Sequence, residues 1–355
     1  MVKEKEKKTE DPSVQGVNPE AVSKFIRKKK KLLSAGEYIR GILAGDIPLL
    51  SQAITLLESA LPAHQELAGE ILAGCLPHAG GSIRVGITGV PGVGKSSFIE
   101  SLGVYLTDNG RKLAILAIDP SSRKSGGSIL GDKTRMERLA ASPAAFIRPS
   151  PSAGSLGGVA SKTRETILLC EAAGFEVVFV ETVGVGQSEV AVHSMADFFL
   201  LLMLAGAGDE IQGMKRGIME MADMILITKA DGENREQAAR AVKEYESALH
   251  LLPVPASGWL PRVRTCSVVD NKGIKEAWET ILEYVQFTKK NGYFDKKRKE
   301  QARYWFFEAL NNGLKQHFYG NEKIKRKIAE TEKAVIAKKA DPYKAARDIL
   351  NGYFC

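Results

Sequence analysis

The chain has 355 residues, 44% of them apolar and 26% charged, room for one large domain with additions or for two domains. Its longest apolar run, Phe198 to Ala205, falls far short of the roughly 18 residues of a membrane-spanning helix, and its four cysteines lack the close spacing of a disulfide scaffold or zinc site. The net charge of +8 sits on the flanks, +5 over residues 1–31 and +9 over residues 288–355, leaving the centre at −6, so a nucleic-acid-binding core is not expected.

Residues 1–35 read as a disordered basic segment, with a Lys/Glu run, Pro12, Pro19 and the cluster Lys24, Arg27 and Lys28 to Lys31. That cluster reads as a solvated face. With no secretory or transit signal at the start, reducing cytoplasm is the expected compartment. A helical region spans 36–80. Asp46 caps a helix that tolerates Pro48 in its first turn, and Leu50, Ile54, Leu57 and Leu61 recur at helical spacing as one apolar face. Pro62 opens another helix, and Gly80-Gly81 ends the region.

From residue 81 to about 288 short β-rich runs alternate with helical stretches: 83–89, 112–119, 145–149, 176–182, 198–204, 224–230 and 263–268. Runs this apolar suit strands covered on both faces, so the expected fold is α/β, a mostly parallel doubly wound sheet. A basic helical arm over 289–355 carries Trp305, Phe306, Phe307, Leu310, Leu314 and Phe318 near helical spacing. A subunit interface is the preferred reading of that stripe, packing within the subunit the alternative.

The sharpest signal is Gly89-Val90-Pro91-Gly92-Val93-Gly94-Lys95-Ser96, a GxxxxGK[ST] loop between a strand and a helix that starts with Ser97. Glycines let backbone N–H groups converge on phosphate oxygens, and the helix N-terminus favours anions. Lys95 then reaches the β- and γ-phosphates and the Ser96 hydroxyl ligates Mg²⁺. Phosphoryl transfer also needs carboxylates near strand tips. Asp119 ends the second strand, Glu181 lies in Glu181-Thr-Val-Gly184, and Asp132 occupies the loop 127–136.

Thr228-Lys229-Ala230-Asp231 departs by one residue from the Asn-Lys-x-Asp pattern that selects guanine. An Asp carboxylate accepts from guanine N1–H and the 2-amino group, and adenine offers neither. The Lys stem packs along the ring. Loss of the Asn amide to Thr228 is expected to weaken guanine binding several-fold while Asp231 keeps its discrimination. Residues 263–273 supply the remaining wall, with Ser267, Val268 and Val269 at the base and the Ser267 N–H facing guanine O6.

With these motifs in order, GVPGVGKSS, AIDPSS, GDKTRM, ETVGVGQSE, AGAGDEIQGMKRGI and TKAD, the chain resembles the methylmalonyl-CoA mutase-associated GTPase family (MeaB/ArgK-like, with the animal relative MMAA) from about residue 36 onward. The resemblance implies a P-loop G domain that binds GTP and GDP with Mg²⁺, hydrolyses GTP slowly without a partner, and escorts an adenosylcobalamin-dependent acyl-CoA mutase, gating cofactor loading and release. It implies that Ser96, Asp119, Asp132 and Glu181 surround Mg²⁺, that the stretch after Gly184 is switch II, and that residues 206–215 form an additional switch. Lys215 there becomes a candidate for neutralising transition-state charge beside Lys95 and Glu181. It further implies a homodimer contact through the C-terminal arm, and an adenosyltransferase is a possible second partner. Thr228, and Ser-Val-Val at 267–269, depart from the family pattern.

Two other readings remain. A nickel or zinc metallochaperone GTPase would need clustered soft or imidazole ligands, yet His64, His78, His193, His250 and His317 are scattered. A P-loop ATPase or kinase tied to amino-acid transport lacks kinase motifs and conflicts with Asp231.

Overall fold

The computed structural model describes residues 32–118, 136–150, 156–182, 188–206 and 216–354. Asp119, Asp132, Lys215, the basic N-terminal cluster and most of the stretch after Gly184 lie outside the described residues.

Among the described residues three α-helices precede the sheet. In α1 (Ala35–Leu43) the Ser34 hydroxyl accepts from the Glu37 N–H while the Glu37 carboxylate takes the Ser34 N–H at 2.8 Å, a capping box. Asp46 caps α2 (Ile47–Glu58) through the Leu49 N–H at 2.9 Å, with proline in the first turn. Leu50, Ile54 and Leu57 are buried, as their spacing predicts. Leu61 is not, with 58% of its surface exposed, because α2 stops at Glu58 and Leu61 becomes the residue before α3 (Pro62–Cys75).

Strands and helices then alternate: β1 (Ile83–Gly89), α4 (Lys95–Asp108), β2 (Leu113–Ile118), the short α5 (Glu137–Ala140), β3 (Ala145–Ser150), α6 (Leu156–Ala172), β4 (Val177–Thr182), α7 (Ser188–His193), β5 (Phe198–Leu204), α8 (Arg216–Met221), β6 (Met224–Thr228), α9 (Arg235–Leu249) and β7 (Arg262–Thr265). The seven strands run β3-β2-β4-β1-β5-β6-β7, every neighbouring pair parallel. Each expected apolar run became a strand, within three residues at either end.

Side-chain alternation sends the strands' apolar residues to both faces. Ile87, Ile115, Phe179 and Leu200 pack with Phe98 of α4 and Trp278 and Ile281 of α10 (Ile274–Lys290). Leu116, Val178 and Phe199 face Ile54, Ile71 and Ile167, so α1 to α3 and α6 cover the other face. Leu201, Ile225 and Ile227 meet Ala238, Ala241 and Tyr245 of α9. β1 therefore stands mid-sheet between β4 and β5, and its C-terminal end opens where strand order reverses, the usual ligand crevice of such sheets.

Three helices complete the chain, α11 (Tyr293–Gly320), α12 (Glu322–Ile336) and α13 (Pro342–Phe354). The aromatic stripe of α11 divides. Trp305 is half-buried against the α6 side of the core, its indole N–H donating to the Ser194 carbonyl at 3.1 Å. Phe306, Phe307, Leu310 and Leu314 stay exposed. The start of α11 is fastened to the N-terminal ends of the strands. Arg298 donates to both Asp197 oxygens at 2.8 and 2.7 Å and to the Gly80 and Ser82 carbonyls, each at 2.6 Å. Beside it Arg84 and Glu171 form a fully buried bidentate pair at 2.8 Å.

Candidate nucleotide site

The loop after β1 takes its shape from its glycines. Gly92 and Gly94 have φ of +78° and +91°, left-handed values that favour glycine. Gly89 is there for space: a Cβ would stand 2.5 Å from the Leu202 carbonyl oxygen of β5. Val93 is fully buried and pins the loop's middle, while Pro91 and Gly92 are exposed. Gly94 is the N-cap of α4, so Lys95, Ser96 and Ser97 form its first turn and their N–H groups have no partner within the helix.

Lys95 folds back over this loop, its ammonium donating to the Gly89 carbonyl at 2.7 Å and the Val90 carbonyl at 3.3 Å. Burial pushes its pKa down, and the nearby Glu181 and Glu189 carboxylates offset part of that. Glu181 comes from β4, opposite Ile87 of β1, and is buried at 5% exposure. The adjacent Thr182 shares a 2.8 Å hydrogen bond with Thr88, which locks the two strand ends together. Glu189, on α7, is also buried; the family resemblance puts it in switch II, and no sequence pattern signals that its charge acts on Lys95.

The donor set near the phosphate loop fits Mg²⁺. A Ser96 hydroxyl and a Glu181 carboxylate are hard oxygen ligands, and this ion characteristically takes one or two protein ligands and completes its shell with phosphate and water. Among the described residues no three His, Cys, Asp or Glu side chains gather as a metal-holding group.

The base end is assembled by the turns after β6 and β7. Lys229 adopts φ +54°, unusual for a side-chain-bearing residue, and its carbonyl is held by the Asn234 amide at 2.7 Å. That turn brings Asp231 beside the second loop, where the Ser267 hydroxyl donates to its Oδ2 at 2.6 Å. The Asp270 N–H in turn donates to the Ser267 hydroxyl oxygen at 2.9 Å. Lys229 is exposed and Asp231 half-buried, so the carboxylate oxygen left over can meet a base edge.

Two expectations about this end need correction. The Ser267 N–H does not face a base; it donates to the Lys272 carbonyl at 3.0 Å, closing a tight loop whose return passes Gly273 at φ +77°. A Cβ at Gly273 would stand 2.3 Å from the Thr265 carbonyl oxygen. Val268 packs toward the core and Val269 is 84% exposed, so these two frame the loop by backbone rather than by side chain. Thr228, in turn, does not present its hydroxyl to the open crevice. Its hydroxyl is buried at the tip of β6, 2.7 Å from the Val93 carbonyl oxygen and 3.2 Å from that of Met203. A lone hydroxyl at the end of the apolar strand MILIT has to bond backbone, which is the sequence signal that would have pointed inward.

A mid-sheet glycine loop on a helix N-terminus, its lysine, a buried carboxylate and a hydrogen-bonded Asp231–Ser267 pair at the next strand ends together define a P-loop nucleotide-binding protein of the G-domain type. The profile described as "Methylmalonyl Co-A mutase-associated GTPase MeaB" matches residues 50–323, and the chain belongs to this family. It is 47% identical over 309 residues to a probable GTPase of Mycobacterium tuberculosis, covering 87% of this chain and 92% of that one. GTPase ArgK of Escherichia coli is 45% identical over 313 residues, 88% of this chain and 95% of that protein. A crystal structure described as a LAO/AO transport system kinase superposes with a TM-score of 0.72 at 38% identity, over 92% of this chain and all of that one. The chain is a GTPase that binds guanine nucleotides.

Proposed function

We propose that this GTPase is the escort of an adenosylcobalamin-dependent acyl-CoA mutase of the methylmalonyl-CoA mutase type, and that its nucleotide state gates cofactor loading and release. The family match over residues 50–323 carries the reading. It gains support from 42% identity over 323 residues to a mouse protein named methylmalonic aciduria type A homolog, 88% of this chain and 78% of that one.

The chain's own residues would divide the work as follows. The loop 89–97 holds the phosphates, with the Lys95 ammonium passing from its two carbonyls to phosphate oxygens as nucleotide enters. Ser96 and Glu181 hold Mg²⁺, which supplies charge neutralisation on the phosphates when bound, and Asp119 and Asp132 join them. Asp231, steadied by Ser267, reads the guanine edge. Lys215 is the candidate for neutralising charge at the γ-phosphate, a role worth about 10³–10⁵ in rate where a partner completes a site. We place the protein in the cytoplasm, as a homodimer through the exposed α11 stripe, with an adenosyltransferase as a possible further partner. Among the described residues no helix is long and apolar enough to cross a membrane.

The test mixes the purified chain with a methylmalonyl-CoA mutase and follows both complex formation and GTP turnover. A nucleotide-dependent complex with faster hydrolysis is expected. Absence of both, with isobutyryl- and ethylmalonyl-CoA mutases also inert, would sink the escort reading and leave the GTPase assignment standing.

A further inference from the structure

Among the described residues, the side chains of Lys95 and Thr228 are bonded into the carbonyls of the phosphate loop, and they differ in what nucleotide does to them. Lys95 donates to the Gly89 and Val90 carbonyls, and a phosphate competes for the same ammonium. Thr228 donates to the Val93 carbonyl at 2.7 Å from outside the loop, where phosphate offers it no competing bond. Val93 lies between Gly92 and Gly94, both at positive φ, so no Cβ of either neighbour restrains the peptide groups around it. When Lys95 leaves for a phosphate, the Thr228 hydroxyl remains as a fastening of the loop's middle to the sheet. It is 4% exposed, hence out of competition with water, and sits one residue before Lys229 at the turn that leads to Asp231.

We propose that Thr228 is a positioning residue for the phosphate loop: its hydroxyl holds the Val93 carbonyl, and through it the N–H groups of residues 92–96, in the shape that grips the β-phosphate. It contributes to phosphate affinity and leaves the choice of base to Asp231. This reverses the expectation that Thr228 is a weakened base reader. The proposal rests on the GTPase reading of the site.

The experiment is calorimetry with GDP, GMP and ADP, each with Mg²⁺, on the wild-type full chain and on Thr228→Val, Thr228→Ala and Thr228→Ser. Valine keeps the β-branched shape and removes the donor, leaving the buried Val93 carbonyl without this bond. The expected result is GDP binding about 5- to 30-fold weaker in the Val and Ala variants. GMP, which lacks the β-phosphate, should change less than about 3-fold, the GDP-over-ADP ratio should hold, and Thr228→Ser should recover GDP affinity. Amide hydrogen exchange at residues 92–97 should quicken in the Val variant without nucleotide, a local effect that general destabilisation would not confine to the loop.

Unchanged GDP affinity in the Val and Ala variants would overturn the proposal. So would an equal loss for GDP and GMP together with loss of the GDP-over-ADP preference, which would return Thr228 to base reading. If either deletion variant fails to fold by thermal unfolding, the other and Thr228→Ser decide, since a serine variant with Val-like affinity also overturns it. Wild-type protein that does not prefer GDP at all would instead remove the guanine-nucleotide reading beneath it.

Discussion

The two ends of the same sheet are built on opposite terms. At the N-terminal ends of the strands, buried charge is matched: Glu171 takes Arg84 bidentately and also the Ser82 hydroxyl at 2.6 Å and the Gly80 N–H at 2.7 Å, while Asp197 takes Arg298 and the Arg84 N–H. At the C-terminal ends, glycines at positive φ, a lysine parked on carbonyls and a carboxylate borrowed by Ser267 leave groups that a ligand can claim. A closed hydrogen-bond network resists change because each partner lost strands a buried charge. An open one gives its bonds to nucleotide at little cost. One sheet thus supplies a fixed foundation beneath a site that must exchange partners.

Breaking the foundation should give the largest loss of stability. Arg298→Met removes four donated bonds and leaves Asp197, 1% exposed at its side chain, without its counter-charge. The expected cost is about 3–5 kcal/mol in urea unfolding of the nucleotide-free chain. GDP affinity of the folded protein should stay within about 3-fold. A variant as stable as wild type would mean that α11 is not fastened through Arg298.

The opposite pattern is expected at the site. Asp231→Asn should leave the unfolding midpoint nearly unmoved, because Asp231 is half-buried and Ser267 can still donate to the amide oxygen. Guanine preference should drop: loss of a charge-assisted acceptor is worth about 1.5–3 kcal/mol, or roughly 10- to 100-fold in the GDP-over-ADP ratio. Calorimetry with both nucleotides reads this directly, and an unaltered ratio would place guanine recognition elsewhere.

These regions are unequally legible in the sequence. The strand runs were legible because burial on both faces leaves a long apolar signature, and the phosphate loop because glycine spacing and backbone geometry are nearly the same statement. What escaped were contacts between residues far apart in the chain. Arg298 and Asp197 are 101 residues apart, and Thr228 and Val93 are 135. No local pattern announces such pairs, since they depend on strand order, which apolar periodicity does not encode. Beside the guanine-selecting motif Thr228 is one amide short; the structure spends its hydroxyl on the backbone instead. The α11 stripe has a single helical spacing in the sequence, yet Trp305 turns inward and its neighbours outward, because only one face of the helix packs on the α6 side of the core.

The foundation also holds two titratable groups whose effects oppose each other. His193 of α7, edge-on to Phe199 at 5.5 Å, has its pKa pushed down to about 4 by burial and then by Lys297. Asp223, whose carboxylate accepts the Phe199 N–H at 2.9 Å, is pushed up to about 6 by burial, with Lys297 pulling it back down. As pH falls from 6.5 toward 4 the unfolded histidine takes a proton that the folded one refuses, so stability is lost. Between 6 and 3.8 the folded aspartate takes a proton that the unfolded one refuses, so stability is gained. Each effect is at most about 3–3.5 kcal/mol, and they cancel over most of the window. Wild-type stability should therefore be nearly flat from pH 6 to 4 as far as these two groups decide it. Asp223→Asn should uncover a loss on acidification and His193→Gln a gain, both read as urea midpoints across that range. Lys297→Met, the smallest change, should raise both pKa values, so histidine costs less and aspartate gains more, and the net pH slope tilts toward stabilisation in acid. A Lys297→Met protein with the wild-type slope would show that its ammonium, held at 2.8 Å by the Asp197 carbonyl, is too well hydrated to act on either group.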